Sequence, residues 1–74
     1  MARALVLVNA EPNSTEKVFK EIKEKKEVKE AMQVYGEYDT AFVISAENTL
    51  GIQNFVKEIR KIKGLVRTVT LIEL

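Results

Sequence analysis

Gly36-Glu37-Tyr38-Asp39 is the densest cluster of residue types that could hold a ligand. A glycine frees the backbone and exposes its N–H. An aspartate accepts hydrogen bonds from an ammonium group. A tyrosine walls a pocket with its ring and donates its hydroxyl. The same four residues also suit a plain turn, so both readings stand. Thr68 and Thr70 lie two apart, and on a strand they share one face. Their hydroxyls could contact a small polar ligand, although β-branched residues suit a strand without one. Asn48-Thr49-Leu50-Gly51 either offers backbone N–H groups to a carboxylate or simply begins a helix. No catalytic constellation accompanies these residues. The chain has no His and no Cys, which excludes a His base, a Cys nucleophile, a disulfide and a Cys- or His-based zinc site. The acids fall mostly on helix faces, no Ser has a base partner, and Gly36, Gly51 and Gly64 do not form a phosphate loop. The expectation is a protein that is not an enzyme and carries neither metal nor cofactor.

The candidate residues need elements to position them. Ala2 to Ala10 is aliphatic without a helical stripe and reads as a first strand. Glu11-Pro12-Asn13-Ser14 breaks it. Asn13 or Ser14 can cap a helix there, with Glu16 completing a variant capping box on Asn13. A first helix then runs to about Lys26 on the stripe Val18, Phe19 and Ile22. Val28 to Tyr35 reads as a second strand, with Val28, Met32 and Val34 on one face, although Lys29-Glu30-Ala31 could equally extend the helix. Gly36 to Asp39 makes a hairpin into a third strand, Thr40 to Ala46. Asn48 or Thr49 caps a second helix, whose apolar positions Ile52, Phe55, Val56, Ile59 and Ile62 follow helical spacing. Gly64 sits where a left-handed terminator belongs, and Leu65 to Leu74 reads as a fourth strand. The order β-α-β-β-α-β predicts an α+β, ferredoxin-like fold: a four-stranded antiparallel sheet with two helices on one face.

Seventy-four residues, 46% of them apolar and 31% charged, fit one small folded domain. No apolar run reaches the roughly 18–20 residues of a membrane span and no signal peptide is visible, so neither membrane nor export is expected and the location reads as cytoplasmic. Twelve basic and eleven acidic residues are interspersed to a net +1, which predicts no direct binding of nucleic acid. The Lys/Glu mixture without Cys also fits a thermophile. A core this small rarely supplies more than roughly 3–5 kcal/mol. The sheet face without helices should alternate apolar and polar residues. Leu5-Val6-Leu7-Val8 and Ala41-Phe42-Val43-Ile44 do not alternate, and strand four is mixed, with Val69 and Leu71 on one parity and Val66, Ile72 and Leu74 on the other. Burying such side chains contributes roughly 1.5–3 kcal/mol each before ordering costs. A homodimer packed sheet against sheet is therefore expected, a monomer being the alternative.

Other modules of this topology are excluded by particular residues. There is no Cys-x-x-Cys for a heavy metal, no aromatic pair on strands one and three for stacked bases, no Arg in the loop after strand one, and no Gly before residue 36. The pattern resembles the C-terminal effector (RAM) domain of the Lrp/AsnC regulators. The carrying residues are Val34-Tyr35-Gly36-Glu37-Tyr38-Asp39 with the apolar strand 40–46, the polar break at 47–49, helix two, and Gly64-Leu65-Val66-Arg67-Thr68-Val69-Thr70-Leu71-Ile72. The family's recurrent pattern there is Gly-x-Tyr/Phe-Asp, a helix, then Gly-Val, a basic residue and alternating Thr. The resemblance implies sheet-paired dimers that assemble into higher oligomers and bind a free amino acid between subunits. It implies a ligand site at Gly36, Tyr38 and Asp39, with Thr68 and Thr70. Gly36 would allow backbone approach, Asp39 would recognise an ammonium or lock the turn, and Tyr38 and the threonines would wall the pocket. Full-length members begin with a helix-turn-helix domain. This chain is expected to be a stand-alone effector domain without one, partnering full-length Lrp/AsnC regulators through the same interfaces. The alternative function is a pure oligomerisation module that binds no ligand.

Overall fold

A computed structural model describes residues 1–74. The strands are β1 (Ala2–Ala10), β2 (Val28–Gln33), β3 (Thr40–Ala46) and β4 (Leu65–Ile72), and the helices are α1 (Thr15–Lys23) and α2 (Thr49–Ile59). They form one four-stranded sheet in the order β2-β3-β1-β4, with every neighbouring pair antiparallel. This is the ferredoxin-like arrangement expected from the element order. No helix is long and apolar enough to cross a membrane.

Side-chain parity decides which residues make the core. Ala4, Val6 and Val8 of β1 stand opposite Ile44, Phe42 and Thr40 of β3, and all six are buried. Val18 and Ile22 of α1, and Ile52, Phe55, Val56 and Ile59 of α2, pack onto that same face. Phe19 joins them through a stacked contact with Phe42, ring centroids 5.8 Å apart. Both helices therefore cover one face, as their single apolar stripes require.

Several local expectations are corrected. α1 ends at Lys23 and not near Lys26. Lys25 N–H turns back to the Ile22 carbonyl, and Val28 N–H to that of Lys25, so the chain can deliver Val28 opposite Ile44. Neither Asn13 nor Ser14 caps α1 with its side chain. Pro12–Ser14 instead form a 3-10 turn, which leaves Ser14 at φ −113°, ψ 0° and not in the extended conformation that capping favours. In β2, a bulge between Val28 and Glu30 sets two residues against one of β3. Val28 and Ala31 then face the core, while Met32 goes to the opposite face, so Val28 does not share a side with Met32. β2 stops at Gln33 and β4 at Ile72, short of Tyr35 and Leu74.

At the second helix the start follows the sequence and the end does not: α2 stops at Ile59 with Arg60 as its C-cap, short of Ile62, so Gly64 turns the chain into β4 four residues after the helix has closed. Asn48 caps α2, its side-chain Oδ1 accepting the N–H of Gly51 at 3.0 Å. Gly64 has φ +99°, and a β-carbon there would lie 2.6 Å from Cβ of Ser14. It thus serves both the left-handed turn and a close approach to the start of α1, with the Glu11 N–H donating to the Gly64 carbonyl at 2.8 Å.

Candidate functional site

Residues Val34 to Asp39 connect β2 to β3, and the loop is closed by the Val34 N–H donating to the Asp39 carbonyl at 2.8 Å. Gly36 within it has φ +146°, a conformation that favours glycine, and its α-carbon faces open space. The loop folds over the end of β1, the neighbouring strand. Asp39 fastens it there twice: its N–H donates to the Val8 carbonyl at 3.0 Å, and its carboxylate Oδ2 accepts the Ala10 N–H at 2.9 Å. A carboxylate on a backbone N–H is a charge-assisted bond. It satisfies a donor just beyond the last β1–β3 pair, Val8 with Thr40.

Because the loop crosses β1, its tip reaches β4. The Arg67 guanidinium lies over the Tyr38 ring, 5.0 Å from its centroid. It also faces the Glu37 carboxylate, with Nη2 4.0 Å from Oε2. Arg67 stands opposite Asn9 in register. Both belong to the parity of Leu5, Leu7, Val69 and Leu71, which is the face without helices. The corner of that face is therefore polar, made of Asn9, Glu37, Tyr38 and Arg67. A cavity of about 370 Å³ opens along the adjoining edge, lined by Arg60, Leu65, Val66, Arg67 and Thr68.

Thr68 and Thr70 lie on the opposite, helix-covered face, facing the same way as their register partners Val8 and Val6. The Thr68 hydroxyl accepts the Arg60 Nε–H at 3.2 Å. Thr70 lines a cavity of about 340 Å³ under α2 with Gln53, Lys57 and Arg60 among its walls. The structure thus gathers Gly36, Tyr38 and Asp39 in one loop and leaves the two threonines across the sheet from the Tyr38–Arg67 contact. Arg67 and Glu37 carry the charge of the corner. Strand parity sets Arg67 opposite the threonines, and that is the sequence signal for its side of the sheet. Its meeting with Tyr38 depends on the strand order. No group of His, Cys, Asp or Glu is arranged to hold a metal ion.

The sequence profile of the Lrp/AsnC ligand binding domain matches residues 3–74. The chain belongs to that family. The Lrp/AsnC assignment agrees with solved structures. FFRP-DM1 is 31% identical over all of both chains, with a TM-score of 0.94. A hypothetical protein of Pyrococcus horikoshii is also 31% identical, over all of this chain and 90% of its own, with a TM-score of 0.91. Escherichia coli AsnC shares the fold at 19% identity and a TM-score of 0.89, and the match spans 50% of that protein. No functionally curated protein matches the chain. The family is the ligand-binding, regulatory domain of Lrp/AsnC transcription regulators.

Proposed function

We propose that this Lrp/AsnC domain is an oligomeric amino-acid sensor. Two copies pack their helix-free sheet faces together, dimers assemble further, and a free amino acid binds at the loop Gly36–Asp39. The observation that carries the reading is the division of the open face. An apolar band crosses it from edge to edge, with Met32 on β2, Leu5 on β1 and Leu71 on β4 exposed at 48%, 37% and 53%. Its ends are polar, with Arg3 and Glu73 paired at 3.5 Å at one end and Asn9, Arg67 and the loop at the other. An exposed apolar band flanked by polar corners has the make-up of a protein–protein interface. It would leave the Gly36–Asp39 corner at the rim, open to a ligand and to a neighbouring dimer. Thr68 and Thr70 would act from the far side of β4, through the Arg60 contact and the cavity under α2. The sensor would work in the cytoplasm and could co-assemble with full-length Lrp/AsnC regulators.

Thermal unfolding with each of the twenty amino acids tests the sensing. A ligand at 100 times its Kd stabilises the folded state by about 2.7 kcal/mol, a readily measured rise in Tm. One specific observation favours an assembly module without a ligand: the Asp39 carboxylate and the Thr68 hydroxyl already have partners within the chain. Absence of a shift with every amino acid, in a protein that sediments as a dimer or larger, would decide for that second reading.

A further inference from the structure

We propose that Arg67 and Glu37 are the pair that reads the main-chain groups of the bound amino acid, Arg67 taking its carboxylate and Glu37 its ammonium. The inference rests on the sensing reading above and assigns its chemistry to atoms. An amino acid carries both charges on one carbon. Its receptor therefore needs a cation and an anion close together and facing one open space. The corner of the sheet brings such a pair together at the surface. The Arg67 guanidinium and the Glu37 carboxylate are 4.0 Å apart, and their side chains are 52% and 78% exposed. Neither side chain makes a hydrogen bond within the chain. The pair attracts but does not saturate itself.

Three further features favour these two groups over others nearby. The Tyr38 ring lies under Arg67, 5.0 Å from the guanidinium carbon to its centroid, and holds the cation at the corner; a guanidinium there offers a fork of N–H groups for a two-pronged contact with a carboxylate. Asp39, the other acid of the loop, spends Oδ2 on the Ala10 N–H and serves to hold Glu37 and Tyr38 over the end of β1. The cavity along the β4 edge has Arg67 and Arg60 and no acid among its walls, so its walls attract a carboxylate, while Glu37 stands just outside it, 4.0 Å from Arg67.

The test is isothermal titration of the intact protein with each of the twenty L-amino acids, then with the methyl ester of each that binds. The ester keeps the ammonium and loses the carboxylate charge. The wild type is expected to bind the free acid at least about tenfold more tightly than the ester. Arg67→Met should weaken binding of the acid by a similar factor and no longer distinguish acid from ester. Arg67→Lys, which keeps the charge but not the planar fork, should fall between. Glu37→Gln should weaken the acid yet retain the preference for acid over ester. A merely structural role for Arg67 would lower affinity for both ligands alike. The pair is overturned alone if the wild type binds acid and ester equally, or if folded Arg67→Met keeps the wild-type preference. Binding of no amino acid to the wild type overturns the sensing reading and the pair together.

Discussion

Asp39 and Thr40 are adjacent and make opposite uses of a polar side chain. The Asp39 carboxylate takes the Ala10 N–H, so Asp39→Ala should destabilise the fold by about 1.5–3 kcal/mol, the range for hydrogen bonds to charged groups. Asp39→Asn keeps an oxygen acceptor and should lose clearly less. Urea unfolding of the two variants measures the difference, and equal losses would show that retaining an uncharged acceptor does nothing for the lock. The Thr40 hydroxyl is buried on the core face without a hydrogen-bond partner. Replacing an unsatisfied buried hydroxyl by a methyl of the same shape removes a desolvation cost. Thr40→Val is therefore expected to leave stability unchanged or raise it by about 1 kcal/mol. A clear loss in the urea midpoint would mean that the hydroxyl has a partner in solution.

At the scale of elements, the turns around Gly64 and Asn48 set where α1 and α2 sit on the sheet. Gly64→Ala meets two obstacles at once, a positive φ and the Ser14 β-carbon at 2.6 Å. The conformational part alone costs roughly 1 kcal/mol or more, and the contact adds to it. Combining it with Ser14→Gly removes the contact but not the strain, so the double variant should recover part of the lost stability. Full recovery would place the whole cost in the contact. Asn48→Ala should cost about 1 kcal/mol through the lost Gly51 cap, read as a lower urea midpoint. The start and the core face of the second helix were legible, because an apolar stripe and a side-chain cap are local signals, although α2 ends at Ile59 and not at Ile62. The end of the first was not. The charged stretch Lys23-Glu24-Lys25-Lys26-Glu27 reads as continuous helix, yet Glu24 closes α1. Val28 must reach β3 opposite Ile44, and that demand is tertiary.

For the whole molecule, the open sheet face decides the outcome. Leu71 is more than half exposed and stands opposite Leu5 in register, where the apolar band reaches the β4 edge. Leu71→Glu places a charge there that a sheet-to-sheet interface would have to bury without a partner. Sedimentation at micromolar concentration should then shift from a dimer or larger to a mass near 8.4 kDa, with the fold retained. A wild type that already sediments at that mass would remove the dimer from the proposal.

The sequence alone determined the element order, the two apolar helix stripes, the α2 cap, the left-handed Gly64 and the apolar excess of the strands. These are set by neighbours a few residues apart, so spacing and residue type suffice to read them. Only the tertiary structure decided the bulge that sends Met32 and Val28 to opposite faces, the lock between Asp39 and Ala10, and the separation of Thr68 and Thr70 from Tyr38. It alone brought Arg67 onto Tyr38 and beside Glu37. Those contacts join residues far apart in the chain, and they exist because β1 lies between β3 and β4 and the hairpin loop crosses its end.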